Sequence, residues 1–307
     1  MVKENSAENL LQEVSEVGDE VEIRKEKIVN YFKKNKNWVF YLILAFITFI
    51  GVYIRTLNIP RLKDVATGTW TLGPDLDPFL FLRWAKYIIE HGSLMAHDAM
   101  RFVPLGYDTA VEMKLLSYMI AWFHNFLSLF GMSDSVTYSA IIFPVVMFAL
   151  TTIAFFLFAR KIFYMENKVI RNSIALLATL FFVLIPSLLP RTIAGIPEKE
   201  SAAFFFMFMA FYFFIEAFTT KNFKRGILFG ILAGIMTGLM TLIWGGVIFV
   251  FFTIPAAVFV GFIFKKVDFN KLLIYLSWLI VTFAFMILFS ARYSLQGLVM
   301  STSTGFA

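Results

Sequence analysis

Long apolar runs separated by short polar stretches dominate the chain from residue 38 onward. A helix that crosses a bilayer needs roughly 17–25 mostly apolar residues. Eight segments reach that length: 38–56, 113–131, 137–159, 172–190, 201–218, 226–243, 247–264 and 272–290. The stretch 226–264 is too long for one helix, so we expect a turn at Trp244-Gly245-Gly246. The pattern predicts an all-α, polytopic membrane protein.

One apolar segment also carries glycine at every fourth position: Gly226, Gly230, Gly234 and Gly238. Residues four apart lie on one side of a helix, and small residues there let a second helix approach closely. The spacing therefore predicts a close-packing face on the helix 226–243.

The composition agrees with a membrane protein and excludes some other classes. Hydrophobic residues make up 59% of the chain, against roughly 45–50% in a soluble globular domain. The chain has no cysteine, which excludes a disulfide framework and a thiolate metal site. The net charge of +6 does not indicate nucleic-acid binding, because most basic residues lie in short runs between apolar segments, where they set membrane orientation.

The basic clusters constrain the topology. They are Lys33–Lys36, Arg160-Lys161 with Lys168 and Arg171, Lys221 to Arg225, and Lys265-Lys266 with Lys271. Basic loops favour the cytoplasmic side, and all four clusters lie there only if 113–131 does not cross. That segment carries Lys114, His124 and Asn125, which suit an interfacial amphipathic helix. We therefore predict seven spans within a membrane domain 38–290, which follows a cytoplasmic tail 1–37.

This topology places three segments outside the membrane on the other face: a long first loop of about 57–136, a short loop 191–200, and the segment 291–307. The first loop contains Asp75 and Asp77, and the short loop contains Glu198 and Glu200. Because the acidic residues played no part in setting the topology, their common face supports a joint site.

Carboxylates collected at a membrane surface suit a divalent cation, because hard cations take several oxygen ligands. Pro78 disfavours helix at Asp77, so we expect that carboxylate in a turn ahead of a helix 79–91. The simpler alternative is that both acidic pairs only cap helices or complement helix dipoles.

Three arginines flank the acidic motifs: Arg83, Arg101 and Arg191. Guanidinium groups bind phosphate oxygens, and a metal ion can neutralise a leaving diphosphate. The residues therefore predict a metal-dependent site for a phosphate-bearing substrate. The alternative for Arg191 is pairing with nearby acids or headgroup phosphates.

Several ordered motifs resemble one enzyme family. They are Asp77-Pro78-Phe79 followed by Arg83, then Glu90-His91-Gly92, Arg101 with Pro104-Leu105-Gly106, Arg191 with Ala194-Gly195 and the acids Glu198 and Glu200, and Trp244-Gly245-Gly246. Together they resemble the catalytic subunit of oligosaccharyltransferase, and most closely its archaeal form. This is a polytopic glycosyltransferase of the GT-C class, and the likeness runs from about residue 38 to 265.

The resemblance implies transfer of an oligosaccharide from a lipid-linked diphosphate to the Asn amide of an acceptor sequon at a cell membrane, with Mn²⁺ or Mg²⁺ as cofactor. It implies that Asp77 binds the metal and contacts the acceptor amide, and that Glu198 and Glu200 supply the second acidic motif. The implied partners are the lipid-linked oligosaccharide, the acceptor polypeptide and membrane lipid, without nucleic acid.

The chain departs from the family in two ways. The first acid of the second motif is usually Asp, and here the longer Glu198 either shifts the metal or leaves the ligand role to Glu200. The family's later spans, its third acidic ligand and its C-terminal Trp-Trp-Asp domain do not occur before Ala307. The expectation is therefore a fragment, a truncated product or a split subunit that a C-terminal part or partner completes.

Two alternatives remain from the sequence. One is another GT-C transferase, such as a protein O-mannosyltransferase, although that class favours an Asp-Glu pair in the first loop. The other is a non-catalytic polyprenyl-lipid-binding protein or transporter. Transporters place ionisable residues near the bilayer midplane, whereas the spans predicted here are nearly free of charge.

We predict that the purified 307-residue chain alone does not transfer glycan, because the family's sequon-reading motif is absent from it. The measurement is glycopeptide formation in vitro from a lipid-linked oligosaccharide and a sequon peptide. Robust transfer by this chain would contradict the expectation.

Overall fold

A computed structural model describes residues 22, 24–25, 38–301 and 304–305. The predicted tail 1–37 therefore lies outside the described residues apart from three positions. The chain divides into two compact units, Met1–Phe46 and Ile47–Ala307. The second unit carries both acidic motifs and the side-chain contacts analysed below.

Helices account for most of the described chain. They are α1 Trp38–Thr56, α2 Asp77–His91, α3 Leu115–Leu129, α4 Val136–Ile162, α5 Lys168–Leu184, α6 Lys199–Thr219, α7 Phe223–Thr241, α8 Ile248–Ile263, α9 Phe269–Phe289 and α10 Leu295–Met300. Two two-residue strands, β1 His97–Asp98 and β2 Tyr107–Asp108, pair antiparallel with His97 opposite Asp108. The predicted all-α class is confirmed.

Six helical segments among the described residues are long and apolar enough to cross a membrane: Trp38–Arg61, Val136–Ile162, Lys199–Thr219, Phe223–Thr241, Gly245–Ile263 and Phe269–Phe289. The seventh predicted span, 172–190, differs. There, α5 has 17 residues, and the chain continues as a 3-10 helix, Pro186–Arg191. Proline lacks the N–H that a continuing α-helix needs, so Pro186 and Pro190 end the regular helix early.

The segment 113–131 forms only the 15-residue helix α3, which is shorter than a crossing helix requires. Its His124 is buried and lies 2.9 Å from the Ser139 hydroxyl. The predicted break near Trp244 is confirmed, since α7 ends at Thr241 and a 3-10 helix, Gly245–Val247, precedes α8.

The bundle is built by pairwise helix packing. Helix α4 packs against α5 and α6, α6 against α7, and α7 against α9. Phenylalanine rings fill the junction of α4, α5 and α6: Phe155 stacks on Phe182 at 4.4 Å and meets Phe208 edge-on at 5.0 Å. The first loop, 57–136, folds onto this bundle, because α2 packs against α3 and α3 against α4. That packing fixes where the first acidic motif lies.

The glycine face of α7 lies directly against α9, as the four-residue spacing predicts. A Cβ atom on Gly234 would lie 2.7 Å from the Trp278 carbonyl oxygen and 2.8 Å from the Val281 Cβ. A Cβ atom on Gly230 would lie 2.9 Å from the Ile274 carbonyl oxygen. Neighbouring backbone cannot move aside as a flexible side chain does, so the two helices require glycine here.

We expect Gly234→Ala to lower the melting temperature of the protein, because the added methyl group meets backbone of α9 and overpacking costs about 1–3 kcal/mol. Gly261→Ala in α8 is the matched control, since its Cβ would meet only the Val267 side chain, at 3.2 Å. Thermal unfolding in detergent measures both variants. Equal melting temperatures would contradict the close packing.

Candidate functional site

The first acidic motif lies at the start of α2. The helix begins at Asp77, so the predicted start at residue 79 was wrong by two residues. Pro78 is tolerated because the first turn of a helix has no use for its missing N–H. The Asp77 side chain is exposed and Asp75 is half-buried just ahead of it.

The second acidic motif lies at the start of α6. Glu198 is the N-cap residue, with φ −83° and ψ 160°, but its side chain accepts no capping hydrogen bond. The Glu198 side chain is only 5% exposed, and Glu200 follows in the first helical turn. The buried carboxylate of Glu198 therefore does not cap its own helix.

Arg191 brings the two motifs together. Its Nη1 atom lies 3.6 Å from Asp75 Oδ2 and 3.4 Å from Glu198 Oε1. Both separations exceed the usual length of an N–H···O hydrogen bond, and the arginine side chain is 48% exposed. The guanidinium thus lies between the motifs as an ion-pair partner that still faces solvent.

The electrostatics around Glu198 show an excess of negative charge. Burial, followed by the nearby charges of Asp75, Glu200 and Asp77, raises the pKa of the Glu198 carboxyl to about 7, although Arg191 opposes the rise. Burial and like charges both disfavour the ionised form of an acid. One guanidinium does not balance the negative charge of the four carboxylates, so added positive charge would stabilise the cluster.

The donor chemistry of this cluster suits a hard divalent cation, which prefers carboxylate oxygens. Within the part of the chain that the structure describes, however, no three or more acidic or histidine side chains are arranged to hold a metal ion. Asp77, Glu198 and Glu200 thus share one charged cluster without forming a coordination shell. Their role as metal ligands stays a prediction.

A backbone contact holds the two motifs in register. The Gly73 N–H donates to the Gly195 carbonyl at 2.8 Å. Gly195 has φ +83°, and a Cβ atom there would lie 2.5 Å from Leu62 Cδ1 and 3.2 Å from the Gly73 nitrogen. A Cβ atom on Gly73 would lie 2.8 Å from Ile196 Cγ1. Both glycines are needed for this approach, which the sequence analysis did not identify.

Further bonds anchor the turn that precedes Glu198. The Gly195 N–H donates to the Ile141 carbonyl at 2.9 Å, and the Ala194 N–H donates to the Arg55 carbonyl at 2.9 Å. The Asn58 amide donates to the Ala194 carbonyl at 2.7 Å. The turn is thus fixed to α4 and to the end of α1.

Arg55 is the least expected of these anchors, because its side chain is fully buried. Its Nε donates to the Thr192 hydroxyl at 2.7 Å, and its guanidinium lies 3.3 Å from the centre of the Phe148 ring. A lone arginine near the end of an apolar span was the available signal, and sequence reasoning passed over it.

Arg83 is engaged elsewhere in the first loop. It binds the buried Asp98 carboxylate through both terminal nitrogens, and the Trp84 indole donates to the same carboxylate at 2.9 Å. The hydrogen bond from Arg83 lowers the pKa of Asp98 to about 2. This pair ties α2 to the small hairpin.

Arg101 is likewise held by a carboxylate. It donates to Glu112 Oε2 at 2.8 Å, and Lys199 Nζ lies 3.4 Å from Glu112 Oε1. Although burial opposes it, hydrogen bonds from Arg101 and the Met113 N–H lower the pKa of Glu112 to about 2. Lys199 lies between Glu198 and Glu200, so this network links the second motif to the first loop.

Comparison with known protein families found a match that covers most of the described chain. The family model described as "Oligosaccharyl transferase STT3, N-terminal" matches residues 46–305. No curated protein sequence matches the chain.

Solved structures share the fold. One is an Archaeoglobus fulgidus oligosaccharyltransferase in complex with Zn and sulfate, with a TM-score of 0.68 and 22% identity, covering 82% of this chain. A second is archaeal oligosaccharyltransferase AglB from the same organism with an inhibitory peptide and a dolichol-phosphate, with a TM-score of 0.69, 22% identity and 86% of this chain covered.

A third structure is the Archaeoglobus fulgidus enzyme tethered to an acceptor peptide containing the NVT sequon, with a TM-score of 0.67 and 20% identity over 86% of this chain. The chain spans only about a third of the length of these structures, 30% to 31%.

We predict that Gly195→Ala lowers the melting temperature by more than Gly131→Ala does. Both glycines have positive φ, +83° and +65°, but a Cβ atom on Gly131 meets nothing within 4 Å. The control therefore carries only the backbone cost, whereas Gly195→Ala adds overpacking of about 1–3 kcal/mol. Thermal unfolding in one detergent compares the two variants. An equal fall in melting temperature would contradict the close approach of Gly73 and Gly195.

Proposed function

Because the chain belongs to the oligosaccharyl transferase STT3 family over residues 46–305, we propose that it serves in protein N-glycosylation. The proposed reaction transfers an oligosaccharide from a lipid-linked diphosphate to the side-chain amide of Asn in an acceptor sequon. The activity proposed is that of the whole enzyme, to which this chain contributes the segment described here.

The observation that carries the proposal is the meeting of two acidic motifs, more than a hundred residues apart, at one guanidinium. Arg191 Nη1 lies 3.6 Å from Asp75 and 3.4 Å from Glu198. Asp77 and Glu200 act on Glu198 electrostatically. A cluster rich in carboxylates beside a half-exposed arginine suits a cation and a diphosphate together.

We assign Asp77, Glu198 and Glu200 as the residues that would hold Mn²⁺ or Mg²⁺. When bound, such an ion neutralises negative charge on a departing diphosphate. The exposed Asp77 carboxylate accepts a hydrogen bond from the acceptor amide N–H and fixes its position. An amide nitrogen is a poor nucleophile, so holding it in place contributes much of the rate.

Arg191 is the arginine best placed to bind the diphosphate. Its long ion pairs and half-exposed side chain let it exchange a carboxylate partner for a phosphate oxygen. Arg83 and Arg101 each hold a buried carboxylate, Asp98 and Glu112. Their role as diphosphate ligands stays a prediction, and their present contacts support a role in shaping the first loop.

We further propose that this site lies on the external face of the cell membrane and that the N-terminus is cytoplasmic. The support is the distribution of basic residues, because Arg160-Lys161 and Lys221 to Arg225 lie at the opposite ends of the spans from Glu198. Basic residues favour the cytoplasmic side.

Donor binding tests the assignment on the chain itself. With the chain in liposomes, we expect Arg191→Gln to weaken binding of a lipid-diphosphate oligosaccharide by at least about tenfold, since a charge-assisted hydrogen bond contributes about 1.5–3 kcal/mol. Arg61→Gln, which changes an exposed arginine of the first loop, is the control. Binding should depend on Mn²⁺ or Mg²⁺ in the unmodified chain and lose that dependence in Asp77→Asn, but not in Asp134→Asn.

The reaction is tested by adding a sequon peptide and the C-terminal portion of a family member. We expect the peptide mass to rise by the glycan on Asn, and a Gln-substituted peptide to remain unmodified. Glycan on Ser or Thr would contradict the proposed reaction. Donor binding that is equal in the Arg191 and Arg61 variants would contradict the site.

A further inference from the structure

A second charged site lies at the other end of the bundle. A pocket of about 150 Å³ opens where α4 ends, α5 begins and α6 approaches its C-terminus. Its lining includes Arg160 and Lys161 from α4, Arg171 from α5, and Glu216 from α6. Glu216 lies seventeen positions after Lys199, which starts α6, so the pocket is about 25 Å from the acidic cluster along the helix.

The pocket has more positive than negative charge. Lys161 Nζ pairs with Glu216 Oε2 at 2.9 Å, which neutralises one of its three cations. Among the described residues, Glu216 is the only carboxylate that lines the pocket. The three basic side chains of the lining outnumber this one carboxylate, which favours an anionic ligand.

Arg171 supplies an independent observation. Its Nε–H is buried and has no hydrogen-bond partner among the residues that the structure describes. A buried donor without an acceptor is costly, and native structures rarely leave one. The guanidinium therefore requires an acceptor oxygen, and phosphate offers several in the geometry that arginine binds.

The surroundings of the pocket distinguish a lipid from a soluble ion. Tyr164 lines the pocket and belongs to the α4–α5 connection, where Met165 is 85% exposed. Val169 and Ile170, next to Arg171, are also exposed. Apolar side chains around a basic pocket at a membrane surface match a phospholipid, whose acyl chains would cover them.

We propose that this pocket binds the phosphate headgroup of an anionic membrane phospholipid. Orientation alone does not require such a pocket, because the exposed Lys224 and Arg225 at the same end of the bundle also serve the positive-inside rule. This site is independent of the transfer reaction proposed above.

The test counts phosphatidylglycerol bound to the full 307-residue chain by native mass spectrometry, with phosphatidylcholine as the neutral comparison. We expect Arg171→Gln to weaken phosphatidylglycerol binding about fivefold, which corresponds to the contribution of one basic residue near an anionic surface. Arg225→Gln makes the same change of charge outside the pocket and should leave binding unchanged. Equal affinity in the two variants would overturn the proposal.

A second variant guards against simple misfolding. Glu216→Gln removes the carboxylate that competes with phosphate for Lys161, so we expect phosphatidylglycerol to bind about fivefold more tightly. A cluster with only a structural role would show no such gain, and that result would count against the site. If millimolar inorganic phosphate displaces phosphatidylglycerol completely, the pocket is a soluble-anion site and the lipid assignment is wrong.

Discussion

The hydrogen bond from the Gly73 N–H to the Gly195 carbonyl is the contact on which the acidic site depends. It joins the first loop to the turn before α6, and neither partner could carry a side chain without a clash. Asp75 and Asp77 follow one glycine, and Glu198 and Glu200 follow the other. Once the two backbones meet, the two acidic motifs lie near one another, and Asp75 and Glu198 share Arg191 as an ion-pair partner.

That closeness has an electrostatic cost, which the surroundings only partly offset. Glu198 is buried among other carboxylates, and the pKa of its carboxyl is raised to about 7. Arg191 supplies one compensating charge. The turn resists separation because it is also bonded to α4 and to the end of α1, through Ile141 and Arg55. A rigid frame that holds like charges together is suited to a cationic ligand, because a bound cation relieves the repulsion between the carboxylates.

The two ends of the bundle use charge differently. At the acidic end, carboxylates exceed their cationic partner. At the other end, basic side chains outnumber the carboxylate in the pocket lining. The buried Arg171 Nε–H there has no acceptor among the described residues. The helices between them contribute aromatic and glycine packing, such as Phe155 on Phe182.

Much of this arrangement could be predicted from patterns in the sequence. Apolar run length predicted the long helices, and the glycine spacing of α7 predicted a close-packing face, although not that α9 would be the helix packed against it. Counting basic residues placed the two acidic motifs on one face. The partners of Arg83 and Arg101 did not follow, because Asp98 and Glu112 reach them only after the first loop has folded. Helix α5 ends early because Pro186 cannot continue an α-helix. The length of an apolar run does not show this effect.

The most direct test of the central claim is a crosslink between Asp75→Cys and Glu198→Cys. The chain has no native cysteine, so a short bifunctional thiol reagent reacts only at the introduced pair. We expect efficient intramolecular crosslinking of this pair in the membrane. We expect no crosslink between Asp75→Cys and Glu216→Cys, because Glu216 lies at the far end of α6. Failure of the first pair, or equal yield from both, would contradict the joining of the two acidic motifs into one site.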